Sequence, residues 1–129
     1  MIRQWVLVAG VMAGAAPSAW AAEIDCILQK EIECLLGSCN ERAVTGSFIV
    51  NAAGTEASLC FTDFGNPTVC TKKPVKMVKT NRGIMVAGIP EDNKSVVSAI
   101  INPQGTQVAL SDFFTSQLTF LRFGTCEAR

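Results

Sequence analysis

Six cysteines, and the turns that lie between them, limit this chain more than any other feature. Cys60 and Cys70 stand at equal distances either side of Gly65, and Cys34 and Cys39 flank Leu36-Gly37. A two-residue loop at Leu36-Gly37 and a turn over residues 63–67 would each set two thiols opposite one another on paired antiparallel strands, within bonding reach. Cys26 and Cys126 then remain, and would tie the first strand to the last. Spacing alone leaves other pairings open. Hairpin symmetry favours these three.

All six cysteines follow a leader. Arg3 supplies a positive start, residues 5–16 are uncharged and mostly apolar, Pro17 breaks the run, and Ala19-Trp20-Ala21 offers a small-x-small cleavage site. The 12-residue apolar run falls short of the roughly 18–20 residues that span a bilayer. Residues 1–21 therefore read as a cleaved signal peptide and residues 22–129 as a single disulfide-rich β-domain, periplasmic or secreted. No later run approaches spanning length, so no membrane span is expected after cleavage. An even cysteine count in an exported chain reads as a disulfide framework.

Cleavage removes one of 11 basic residues and none of the 11 acidic ones, leaving the mature chain near neutral. Bulk charge thus gives no reason to expect a nucleic acid as partner. The mean hydropathy of +0.31 is raised by the leader. There is no histidine and no Cys-x-x-Cys, so neither a metal site, a redox motif nor a Cys–His nucleophile is indicated, and no cofactor is expected. No Gly-x-Ser-x-Gly, Ser-x-x-Lys or glycine-rich phosphate loop occurs.

The chain is expected to be all-β. Residues 24–36 fit two periods: alternation of Ile24, Cys26, Leu28, Ile32, Cys34 and Leu36, spoiled by Lys30, or one helical face through Ile24, Ile27, Leu28, Ile32, Leu35 and Leu36. Cysteine symmetry about Gly37 favours strand, with a short N-terminal helix as the alternative. Strands follow over 44–50, 56–63, 68–72, 75–80, 84–89, 96–102, 106–111 and 118–123. Turns fall at 51–54, 81–83, 90–94 and 102–105, Pro74 is an interruption, and Phe113-Phe114 is a linker. Short strands spaced by about 8–12 residues predict a small antiparallel sandwich or barrel of some seven or eight strands.

The order Cys-x7-Cys-x4-Cys, then Phe-Ile-Val-Asn-x-x-Gly before Cys60 and Cys70, then Phe-Gly-Thr-Cys126, resembles small exported bacterial β-proteins of unknown function. That resemblance implies a fold and a compartment, and carries no active residue.

Among candidate binding residues, Lys72, Lys73, Lys76, Lys79 and Arg82 put five positive charges in 11 residues with no acid between them. They form either an anion-binding face or, with Pro74 among them, a solvated edge strand guarded by lysines. Phe120 and Phe123 are expected in the core. Phe113 and Phe114 are adjacent and cannot both point inward if extended, so one of them is a candidate contact residue. Glu91 and Asp92 fall at a turn, Asp63 starts one, Asp112 stands isolated, and Asn93-Lys94-Ser95 matches a glycosylation sequon. The expected function is an exported, non-catalytic binding or inhibitor module for an envelope or extracellular macromolecule. The alternatives are a small-ligand carrier with an apolar interior and a hydrolase working through carboxylates.

Overall fold

A computed structural model describes residues 22–62, 67–91, 95–115 and 117–128. The leader, residues 63–66 of the central turn, and residues 92–94 with the sequon's Asn93 and Lys94 lie outside that set. Eight strands follow one another: β1 (Ile24–Leu35), β2 (Ser38–Val50), β3 (Glu56–Phe61), β4 (Val69–Thr80), β5 (Gly83–Gly88), β6 (Val96–Ile101), β7 (Gln107–Thr115) and β8 (Leu118–Ala128). Each pairs antiparallel with the next, and β8 pairs back onto β1, closing a barrel. Of the two architectures expected, the barrel is the one formed. Residues 24–35 are strand, not helix.

An eight-stranded barrel is just wide enough for side chains to fill it. Here Leu28, Phe48, Val50, Val86, Val97, Ile101 and Leu110 do so, all essentially without solvent contact. Each such burial stabilises by about 1.5–3 kcal/mol, and alternation along the strands delivers them. The barrel axis is therefore a packed core.

Two sequence-based boundaries shift for identifiable reasons. Pro74 does not interrupt: β4 runs through it for 12 residues. The proline pairs with Glu56 at the first residue of β3, the Val75 amide donates to Thr55 O, and Pro74 O accepts from the Ile89 amide. Its missing N–H thus falls where the ladder to β3 ends. Phe113 and Phe114 belong to β7 and are not a linker: Phe113 stands opposite Val96 on one side and Thr119 on the other, and Phe114 falls at a register shift against β8.

The three disulfides are Cys26–Cys126, Cys34–Cys39 and Cys60–Cys70. These are the pairs that hairpin symmetry favours. In each, the two cysteines face one another in register. Leu36 and Gly37 both have positive φ (53° and 81°), the combination a two-residue hairpin loop requires. Such a framework is compatible with an oxidising compartment.

Candidate functional site

At one end of the barrel β2 outruns its neighbour. β3 pairs with β2 only from Gly46 to Val50, with one further bond from the Thr62 amide to Thr45 O, so residues 38–43 of β2 are paired with β1 and not with β3. The Cys34–Cys39 bridge ties this overhang to β1, and the Leu36 amide in the connecting turn donates to Gln117 O just ahead of β8. The opening it leaves is a cavity of about 640 Å³. Arg42, Ala43, Val44 and Thr45 line it from the overhang, Phe61 and Thr62 from the end of β3, and Glu31, Phe114, Phe120 and Arg122 from β1, β7 and β8.

A register shift in β1 supplies the central acid. Ile24, Cys26 and Leu28 are buried in strict alternation, which, if continued, would turn Lys30 inward. The shift between Leu28 and Lys30 moves the inward phase by one, and Glu31 is buried instead. An extra residue re-aiming a side chain is what β-bulges do. It also explains why Ile32 and Cys34 are only partly buried, contrary to the unbroken alternation the sequence suggests.

Glu31 faces Arg42 on β2 and Arg122 on β8 in register. Its Oε2 accepts from Arg42 Nε at 2.6 Å, and its Oε1 accepts from Arg122 Nε at 2.8 Å. Arg122 Nη1 donates to Asp112 Oδ2 at 3.0 Å. Asp112, isolated in the linear sequence, is thus half of a buried ion pair, and its Oδ1 is buried without a hydrogen-bond donor among the described residues. The Arg122 guanidinium also lies over two rings, 4.3 Å from the centroid of Phe61 and 4.7 Å from that of Phe120. Phe114 meets Phe120 edge to face at 5.4 Å. Gly46 makes this possible, because the Phe61 ring occupies the space a Cβ there would need.

The five-charge basic run does not form one face. Alternation buries Lys73, whose Nζ donates to Ser95 O at 3.2 Å, and leaves Lys72 and Lys76 exposed outside. Lys72 reaches Glu56 at 4.0 Å. Lys79 joins a separate cavity of about 380 Å³ at the opposite end, among Ile24, Ile84, Ile101 and Pro103. Arg82 sits in the exposed β4–β5 turn. Of the phenylalanines, Phe113 and Phe114 are both half exposed, but only Phe114 lines the charged mouth. Phe123, expected in the core, is on the outside, where Met85, Ile100 and Ala109 stand beside it across the strands. Phe120, also expected in the core, is only partly buried because it walls the mouth.

Sequence reasoning missed Glu31, Arg42, Phe61 and Arg122 as site residues. One signal was legible: Leu110-x-Asp112 and Phe120-x-Arg122 carry opposite charges in phase with apolar positions, on strands joined by a short turn. Among the described residues, no group of three His, Cys, Asp or Glu side chains is placed to hold a metal ion. No helix there is long and apolar enough to cross a membrane, which says nothing of strands. No protein-family model matches the chain, and no curated protein matches it.

Proposed function

We propose that the chain is an exported, non-catalytic binding module, and that the charged mouth between β2 and β8 is its binding site. One observation carries this reading. Arg122 is withdrawn from solvent at considerable desolvation cost, yet it lines an open cavity, held between two rings and two carboxylates. A charge needed only to fill the barrel would be replaced there by an apolar side chain at little loss. A preformed cavity of this size, mostly apolar with a few oriented polar groups, is the usual form of a ligand site. The two outer disulfides hold the hairpins around it, so little ordering remains to be done on binding.

A carrier that stores its ligand along the barrel axis is the weaker reading, since Phe48, Leu28 and Ile101 occupy that space. A small ligand would have to sit in the mouth. The site is tested by NMR titration of the oxidised protein with a mixture of acidic, basic and neutral fragments. Amide shifts gathered at residues 42–45, 61–62 and 120–122 are expected. Shifts confined to the outer β5–β6 surface, or none, would overturn the assignment.

A further inference from the structure

We infer that the outer face of β5–β8 is where two copies of this chain meet, as a weak two-fold dimer. The inference goes beyond the mouth and does not depend on it.

The exterior of the barrel is divided. Around β1–β4, Lys30, Glu41, Glu56, Lys72 and Lys76 stand exposed. On β5–β8, from Gln107 and Thr125 at one end to Phe113 and Thr119 at the other, no outward position carries a charge. Alternation aims these side chains outward, and the core is filled without them. A continuous uncharged patch of that kind marks a contact surface.

Register across the strands gives the face a relief. Val78, Met85 and Ile100 stand side by side on β4, β5 and β6, and Ala109 and Phe123 continue the row on β7 and β8. Met85 and Ile100 keep 50% and 55% of their surface in water. Two residues along each strand, the next row is Ala87, Ser98 and Ser111, small side chains that floor a trough of about 310 Å³. The Ser111 hydroxyl donates to Ser98 O at 3.4 Å, so it already has a partner within the sheet.

A ridge parallel to a trough is complementary to a copy of itself. A two-fold axis running across the strands, midway between the rows, sets Met85 over Ala87 of a second copy and Ile100 over its Ser98. The reverse contacts follow by symmetry. Packed sheets interdigitate side chains in this way at a separation of about 10 Å. The same operation sets Lys76, which bounds the trough on β4, against Val78 and not against another lysine. With 11 basic and 11 acidic residues in the chain, two copies meet without net repulsion.

Other occupants fit less well. The closed sheet leaves no strand edge for a peptide to extend, so side chains must make the contact. Attachment to an anionic lipid surface draws on clustered lysines. Here Lys76 borders one side of the face, and Lys30 on the other is paired with Glu41 at 3.5 Å. Four strand spacings of about 4.8 Å and six residue steps of about 3.3 Å make the face about 19 by about 20 Å. Such a contact removes on the order of 500 Å² from each copy, short of the roughly 800 Å² of a tight complex. The dimer is therefore weak and reversible.

Sedimentation equilibrium of the oxidised protein from about 10 μM to about 1 mM is expected to show the mass rising toward that of a dimer. Amide shifts that grow with concentration should gather at residues 85–87, 98–100 and 121–123. Ile100→Lys should leave a monomer throughout, and Ser111→Arg, on another strand, should do the same if Ile100→Lys fails to fold. Met85→Ala lowers the ridge and Ala87→Met fills the trough. Each acts twice across the two-fold and should weaken association about tenfold. The double variant exchanges ridge and trough and should restore it. A monomer at 1 mM, a dimer that survives the charged variants, or a double variant no better than its singles overturns the inference. Binding to phosphatidylglycerol vesicles that is lost in Ile100→Lys, by a protein that stays monomeric, would also overturn it and assign the face to lipid.

Discussion

Arg122 concentrates the energetics of the mouth in one side chain. It joins Glu31 to Asp112 and lies over Phe61 and Phe120, so removing it leaves buried Asp112 without its arginine and buried Glu31 without one of its two. Breaking a buried pair in this way costs about 3–5 kcal/mol, whereas replacing the whole group by apolar residues of similar volume is often neutral. Arg122→Leu should therefore lower the denaturant midpoint sharply. The triple variant Glu31→Leu, Asp112→Leu, Arg122→Met should recover most of that loss while abolishing ligand binding. Recovery of stability with binding intact would show that the charges serve some other end. Arg42, its side chain 62% exposed, is the more solvated of the two arginines on Glu31.

Single elements carry much of the fold through their turns, and two of these turns are the same. In residues 51–55 and 102–106 the sequence is Asn-x-x-Gly-Thr, with the glycine amide donating to the asparagine carbonyl at 2.9 Å in both. Asn51 Oδ1 accepts from the amides of Thr55 and Glu56, and Asn102 Oδ1 accepts from those of Thr106 and Gln107. Gly54 and Gly105 have φ of 70° and 72°, where other residues are strained. Asn51→Ala and Asn102→Ala should each cost about 1 kcal/mol, and Asp should restore most of it at either site. The turns share no partner, so chemical denaturation of the double variant should show the two losses adding. A strongly non-additive result would mean the turns are coupled through the barrel end.

At the scale of the whole molecule, closure is the decisive property. A closed barrel has no edge strand, and its seam is the β1–β8 ladder. Cys26–Cys126 crosses that seam with a sequence separation of 100, against 5 and 10 for the other bridges. Loop-closure entropy assigns about 4.7 kcal/mol to the long bridge and about 2–3 kcal/mol to each short one. Replacing Cys26 and Cys126 by Ser should thus lower Tm more than replacing Cys60 and Cys70. It should also speed amide exchange first along β1 and β8. Equal losses for the two pairs would place the stabilisation in the folded state and not in the open chain.

The all-β class, the cysteine pairs and most turns could be read from the sequence, because they depend on local rules. Alternation marks a strand, asparagine and glycine mark a tight turn, and thiols symmetric about such a turn face each other. The mouth was legible only in fragments. Glu31 lies 91 residues from Arg122, and the two meet because β8 returns to β1 and because a register shift turns Glu31, not Lys30, inward. The same alternation divided the five-charge basic run between inside and outside, which no count of charges along the chain foretells. Composition and spacing decided that strands would form and which hairpins would be clamped. Closure of the sheet decided which side of each strand became interior, since only the ring of neighbours fixes where a side chain can escape water.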